Sequence, residues 1–593
     1  MKLFWLVSDA ASCFRPLIMD GFSRLSISTA PPPLPMISSL PPKTARVLIV
    51  GGGPAGSYAA SVLAREGISV TVFESDKFPR YHVGESLIPS CRHYMRFIGA
   101  DDKLSSHGFV HKPGSAIKFN QEKREGYTDF EALGTENAAF NVVRSEFDHM
   151  LMSHARASGA AVYEQTKVKT VDFSSTDPNR PVSVTWEHVP PPEPLSPPAS
   201  PVVTKTNLTE SPIAKKITGV TSFDYLIDAT GRAGLLSTLY LKNRRFNSSL
   251  KNIALWAYWN DVGTYGNGTA REGAPWFEAL TDESGWAWFI PLHTGVTSVG
   301  VVMNQQLYHE KIQNQTLTSP FGTAAVPDPS SALTQRYISS LSLAPGVVKL
   351  ITASGVMQGT IDPFFSSGVH LAMTSGLSAA ATICASLRGD CTEVVAADWH
   401  TKRVSTSYTR FQVVVLSAYK QIRAQTDGVL CDVDEDNFDR AFAYLRPVIQ
   451  GASDMGKRLS ENELQKSLDF CVKLFGSTTP EDHARVAAQP HVTQELLDVT
   501  GPYVDPLVIE NALHDHNPVK STPPPVRRAL TKRDRSASEV AETKLVLDKI
   551  NARRVIHSEY AINNFESEPI AGYVARLEKG RLGLTSTEPP FAD

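Results

Sequence analysis

The sequence predicts an α/β protein that combines a parallel nucleotide-binding unit, a mostly antiparallel sheet and a largely helical C-terminal region. Three features predict it. Residues 47–74 read as strand, glycine turn, helix, strand and acid. Residues 276–303 alternate apolar and polar positions and are rich in aromatics. Residues 376–388 and 404–425 carry helical patterns.

Composition narrows the function classes. The chain has 593 residues, 42% of them apolar, enough to bury a large core. Its 58 Lys plus Arg against 61 Asp plus Glu give a net charge of −3, which is no nucleic-acid footprint. Six cysteines without a CxxC or zinc spacing predict reduced thiols, an intracellular, cytoplasmic protein and no metal centre. No continuous apolar run of about 18 residues predicts a membrane-spanning helix.

In chain order, residues 1–44 read as a disordered or mis-spliced extension: Asp9 interrupts an apolar start, and 26–43 are Pro/Ser-rich. The main module spans 45–395. VLIV at 47–50 suits a buried parallel strand, GGGPAG follows, Ser57–Arg65 reads as a helix stopped by Gly67, and Ile68–Phe73 as a second strand ending at Glu74. A Pro-rich insertion occupies 189–215, where seven of the twelve residues 190–201 are proline, a composition that excludes a central strand. FDYLIDATGR at 223–232 reads as a strand entering a glycine turn. Residues 396–593 form the helical C-terminal region, with a flexible basic loop at 515–540.

The first chemical signal is Gly51-x-Gly53-x-x-Gly56. Gly51 permits the turn, Gly53 lets backbone approach a pyrophosphate, and Gly56 lets helix pack on strand; Pro54 and Ala55 open the helix, whose free N–H groups favour anions. Glu74 is placed to bind ribose hydroxyls. This unit alone leaves FAD and NAD both open. Four further strings have ordinary readings when taken singly. Arg144 in RSEFDHML is a helix-surface arginine, Trp286-Ala-Trp288-Phe-Ile290-Pro291 puts two core indoles on one strand face, DPFFSSGVHLA (362–372) caps a helix, and Lys112 in GFVHKPGSAIKF is a solvated lysine.

Together these strings resemble the flavin-dependent halogenases of the FAD-dependent monooxygenase superfamily, specifically the fungal branch acting on phenolic polyketide-type substrates. The match covers residues 45–425 and recurs in GYVARLEKGRLGL at 572–584. It implies a Rossmann-type FAD-binding domain interleaved with the mostly antiparallel substrate sheet, and a C-terminal region over the substrate. Asp228 and Gly231 fall in the Ala-Thr-Gly strand-turn, Arg144 contacts flavin, and Gly84–Pro89 is a strap over it. Ser367 and Gly368 hold halide, Trp286, Trp288 and Phe365 wall the pocket, and Lys112 is the catalytic lysine. The implied cofactors are FAD as FADH2, chloride and O2, with a separate flavin reductase as partner. The resemblance implies that oxygen would give a flavin hydroperoxide, that chloride would take its distal oxygen to yield hypochlorous acid, and that Lys112 would hold that acid by hydrogen bond or as a chloramine. A phenolic ring, free or carrier-bound, is then chlorinated.

Two departures stand out. Phe365 occupies the position of a glutamate in tryptophan halogenases, which favours a phenol activated by its own hydroxyl. The family's Gly-Asp-Ala string before Ile-Asp-Pro is absent from Thr352–Pro363. Either Ser354 or a backbone group takes over its flavin contact, or the sequence carries a splicing error, or flavin binding is weakened. The alternative functions are a flavin-dependent aromatic hydroxylase and a degenerate flavoprotein acting as a binding protein.

Overall fold

The computed structural model describes residues 40–119, 121, 124–131, 135–190, 216–244, 250–314, 319–321, 332–353, 367–423, 425, 480–489, 492–497, 504, 509, 513, 540–548, 550, 564–567 and 569–587. The extension before Leu40, residues 191–215 of the Pro-rich insertion, Ser354, Phe365 and nearly all of the basic loop lie outside them.

Two six-stranded sheets carry the molecule. The first has the order β7-β2-β1-β10-β9-β8. It comprises β1 (Thr44–Val50), β2 (Val70–Phe73), β7 (Ala161–Tyr163), β8 (Thr166–Phe173), β9 (Pro181–His188) and β10 (Ile217–Asp228). β7, β2, β1 and β10 run parallel, and β9 and β8 extend the sheet antiparallel. The apolar run Val47–Val50 is buried on both faces, as a central parallel strand requires.

The second sheet has the order β11-β14-β13-β12-β4-β5. Its strands are β4 (Gly114–Lys118), β5 (Gly126–Asp129), β11 (Asn252–Asn260), β12 (Trp276–Ala279), β13 (Gly285–Pro291) and β14 (Val296–Asn304). All its pairings are antiparallel except β12 with β4. A short antiparallel pair, β3 (Val110–Lys112) with β6 (Ala139–Asn141), stands apart from both.

Helices α1 (Pro54–Arg65), α2 (Ser90–Ile98), α3 (Asp101–Ser106), α4 (Arg144–Ala157), α8 (Ser367–Arg388) and α9 (Glu393–Ile422) surround the first sheet's core. Helices α5 (Gln305–Asn314), α6 (Ala332–Leu341) and α7 (Pro345–Thr352) lie with the second. α1 starts three residues earlier than the periodicity places it, because Pro54 at the first turn has the helical φ already set. α8 also starts earlier, at Ser367, and residues 368–388 are long and apolar enough to cross a membrane. It contains no continuous apolar run of about 18 residues. Ser, Thr and Gly interrupt its apolar run, and 83% of its most apolar window is buried inside the protein.

α9 begins at Glu393, ahead of residue 396. The segment 573–586 is a hairpin, β15 (Tyr573–Arg576) and β16 (Gly583–Ser586). Ala575, Leu582 and Leu584 join the same core as Tyr58, Leu377 and Trp399, so this hairpin packs on the helices that cover the first sheet. Its apolar positions repeat every second residue at Leu582 and Leu584, which suits a strand and not a helix.

Candidate functional site

A cavity of about 950 Å³ opens between the C-terminal ends of β1 and β10 and the edge of the second sheet. The turn after β1 forms its floor. Gly51 has φ +108°, and a Cβ there would stand 2.3 Å from the Ala229 carbonyl oxygen. A Cβ on Gly56 would stand 1.9 Å from the Gly51 oxygen. Gly53 meets nothing closer than Arg80 Nη2 at 3.4 Å, so its missing side chain leaves open space above the helix N-terminus. Gly51, Gly53, Pro54 and Ala55 line the cavity, and Gly56 sits behind them as a packing glycine.

Glu74 follows β2 directly at the rim and is 5% exposed. Its Oε2 accepts from Gly52 N at 2.5 Å and its Oε1 from Asp76 N at 2.8 Å, which fixes the carboxylate over the glycine turn. Gly231 lines the cavity together with Ala229 and Thr230. Asp228 does not line it. Its carboxylate accepts from Thr230 N, Thr230 Oγ1 and Leu236 N, and so shapes the turn that presents Gly231.

Arg144 is buried at the start of α4 and faces the cavity. It grips Asp148 with Nε and Nη2 at 2.8 and 3.0 Å, and Nη1 donates to Val83 O at 2.5 Å. The arginine thereby anchors the start of the Gly84–Pro89 segment. His82, also in the wall, is pushed down to about 3 by burial and then by the Arg144 charge. Glu85 accepts from Tyr258 Oη; burial holds its carboxyl above the usual range.

Lys112 ends β3 and is 1% exposed. Its Nζ donates to Ser86 Oγ at 2.7 Å and to the Leu87 carbonyl at 2.8 Å, with the Phe130 ring 5.0 Å away. Burial lowers its pKa to about 7. Ser86 also lines the cavity, so the amine lies one hydrogen bond behind the wall.

Trp286 and Trp288 are fully buried on one face of β13, ring centroids 5.8 Å apart. They do not line the cavity; Asn252, Ile253 and Ala254 of β11 and Phe277, Ile290 and Val302 do so from this sheet. Trp286 Nε1 donates to Tyr419 Oη and Trp288 Nε1 to Ser298 Oγ, and Trp288 lies over Gly300, where a Cβ would collide with its ring at 2.3 Å. These contacts hold both indoles inside the protein. Gly368, with Val369, Leu371 and Ala372 of the first turns of α8, lines the cavity; Ser367 is the first residue of that helix.

Sequence reading missed Glu85 and Ser86 as individual residues, although both lie inside the Gly84–Pro89 segment, and missed Arg80 and His82 just before it. It also missed Glu278, a buried acid in the aromatic strand β12. A lone carboxylate in an otherwise apolar strand was the available signal.

The family model described as tryptophan halogenase matches residues 46–185 and 206–488, leaving out most of the proline-rich stretch. Flavin-dependent halogenase armH1 of Armillaria mellea is 45% identical over 92% of this chain and 99% of its own length. Sulochrin halogenase gedL of Aspergillus terreus is 38% identical over 92% of this chain and 94% of its own. Among solved structures, the flavin-dependent halogenase CmlS superposes with a TM-score of 0.53 at 23% identity, over 72% of this chain and 76% of that one. The myxobacterial chondrochloren halogenase CndH gives 0.50 at 22%, over 73% and 98%.

Proposed function

The chain belongs to the tryptophan halogenase family of flavin-dependent oxidoreductases, whose cofactor is FAD, and from that premise we propose that it chlorinates an electron-rich phenolic ring with Lys112 as the chlorine-transferring residue. The observation that carries this reading is the placement of Lys112: a dry amine, one hydrogen bond from the wall of the nucleotide cavity.

The cavity fits FAD on its own geometry. A glycine cradle without Cβ atoms faces a helix N-terminus, and a buried carboxylate stands at the rim. Gly51, Gly53, Pro54 and Ala55 would take the pyrophosphate, Glu74 the ribose, and the turn at Gly231 and the Arg144 side of the wall the flavin end. Bound FADH2, renewed by a separate reductase, supplies hypochlorous acid from O2 and chloride. Ser367 and Gly368, opening α8, are the proposed halide site.

Lys112 then receives the acid. As a neutral amine it has two N–H bonds, directed at Ser86 and Leu87, and its lone pair is left either to accept the acid's proton or to take its chlorine, in which case the O–Cl bond breaks, hydroxide leaves as water with one N–H proton, and the ring proton displaced on chlorination returns to the amine. The apolar surroundings, Phe130 included, exclude water that would disperse the oxidant. The substrate is proposed as a phenol because Phe365 replaces the glutamate of tryptophan halogenases, leaving activation to the ring's own hydroxyl. One relative is named for sulochrin, which is consistent with a secondary-metabolite substrate.

The test is an assay of wild type and Lys112→Ala with FAD, a flavin reductase, NADH, O2, chloride and a panel of resorcylic phenols, read by mass spectrometry. The expected result is a chlorine isotope doublet in wild type that disappears in the variant while NADH consumption persists. A chloride-independent product heavier by one oxygen would instead identify an aromatic hydroxylase.

A further inference from the structure

Outside the cavity, three residues distant in sequence converge on one point. His107 follows α3, Glu146 lies in the first turn of α4, and His293 sits in the turn between β13 and β14. Their ligand atoms all fall within 4.8 Å of one another. His107 Nε2 and His293 Nε2 approach the same oxygen, Glu146 Oε2, at 2.7 and 3.2 Å. The imidazoles stand edge to face, 5.9 Å between centroids, and Phe109 stacks on His107 at 4.1 Å and meets His293 at 5.2 Å. His293 Nδ1 is buried without a hydrogen-bond partner.

We propose that His107, Glu146 and His293 form a binding site for a divalent late transition-metal ion, with Zn2+ as the fitting cation. Two imidazole nitrogens and one carboxylate oxygen are the donor set of open, four-coordinate zinc, with water as the fourth ligand. Nitrogen and carboxylate donors also disfavour Mg2+ and Ca2+, which take all-oxygen sites. Two imidazole nitrogens converging on one carboxylate oxygen place three ligand atoms around a point that a cation can occupy. Zinc would need nitrogen–oxygen separations of roughly 3.3 Å, given metal–ligand distances near 2.0–2.1 Å. The 3.2 Å pair is close to that value, the 2.7 Å pair is shorter, and the two imidazole nitrogens lie within 4.8 Å of each other, so binding would draw all three ligands into place.

The site joins three elements that meet nowhere in sequence. His293 comes from the second sheet, Glu146 from a helix packed on the first sheet's core, and His107 lies five residues before Lys112. A bound ion would clamp the two sheets together on the side from which β3 delivers its lysine. Sequence spacing predicted no metal because the ligands are 39 and 147 residues apart.

The experiment uses tag-free, EDTA-stripped full-length protein. ZnCl2 is titrated by calorimetry, and zinc is counted by plasma mass spectrometry after desalting. CoCl2 reports geometry through the visible bands of a four-coordinate site. One equivalent per chain is expected, with micromolar or tighter affinity and a rise in thermal midpoint. His107→Gln and His293→Gln keep an amide donor toward Glu146 but no metal ligand. Each should fold with an unchanged circular dichroism spectrum and lose at least about tenfold in affinity. Glu146→Gln should weaken binding similarly. Sub-stoichiometric zinc in wild type, or full binding retained in the His107→Gln/His293→Gln double variant, would overturn the site and leave an ordinary hydrogen-bonded cluster.

Discussion

Lys112 Nζ donates to Ser86 Oγ at 2.7 Å, and Ser86 is itself part of the cavity wall. The hydroxyl is therefore the link between the cofactor space and the buried amine. Ser86→Ala keeps the lysine but removes one of its two polar anchors, leaving the Leu87 carbonyl to hold it. A hydrogen bond to such a group is worth about 1–2 kcal/mol, so chlorination should fall roughly tenfold. NADH oxidation and FAD affinity should stay within about twofold, because the loss lies beyond the flavin step. Product yield per NADH consumed, read by mass spectrometry, checks the split. An equal fall in both rates would place Ser86 on the flavin instead.

The glycine turn separates packing from ligand binding. A methyl on Gly56 would meet the Gly51 carbonyl oxygen at 1.9 Å, and backbone must move to admit it. Gly56→Ala should lower stability by about 2–4 kcal/mol and yield little folded protein. A methyl on Gly53 has Arg80 Nη2 at 3.4 Å as its nearest neighbour and points into the cavity. Gly53→Ala should fold normally yet weaken FAD at least about tenfold, since backbone can no longer approach the pyrophosphate. Fluorescence titration with FAD, beside thermal unfolding, tests both variants.

Glu278 acts through structure. Its carboxylate accepts from Gly346 N at 3.0 Å and Val347 N at 2.9 Å, the first free amides of α7, and from Gln121 and Trp276 side chains. It is 1% exposed. Glu278→Ala would strand these donors and remove the negative charge from a helix N-terminus, at a cost of roughly 2–4 kcal/mol. Glu278→Gln keeps the shape and should cost about half as much. Thermal midpoints at a fixed scan rate would show the order wild type, Gln, Ala; a variant equal to wild type would remove the cap from the account.

The glycine turn on the cavity floor was legible in the sequence because backbone dictates it. Gly51, Gly53 and Gly56 must lack side chains wherever a strand turns into a phosphate-facing helix, so spacing alone locates them. Asp228 shows the converse. It adjoins the turn that lines the cavity, but its oxygens are spent on Thr230 and Leu236, and only coordinates reveal where a short side chain is spent. Trp286 and Trp288 show the limit of strand periodicity: it puts both on one face without saying which layer covers that face. Ser86, Glu278 and the His107–Glu146–His293 cluster depend on long-range register between β3, β12, β13 and α4. No local pattern encodes that.

Lys112 should make both activity and stability depend on pH. Burial lowers its pKa to about 7 from the ordinary 10.5. Between those values the unfolded chain binds more protons than the folded one, so stability rises with pH across that window. Below about 7 the folded protein carries the full cost of a buried ammonium, an upper limit of about 4–5 kcal/mol. Lys112→Met removes that cost but leaves Ser86 and the Leu87 carbonyl without their donor, which returns about 1–3 kcal/mol. The variant should therefore be more stable than wild type by roughly 1–3 kcal/mol at pH 6.5, with the advantage shrinking toward pH 10. Chlorination in wild type should rise through pH 7 as the lone pair is freed, and the variant should make no chlorinated product. Urea unfolding of both proteins at pH 6.5 and 9, with product yield per NADH across the same range, measures each slope. A variant less stable by a constant amount at every pH would mean that the lysine stays charged in the fold, and chlorine transfer would then have to proceed by hydrogen-bond donation.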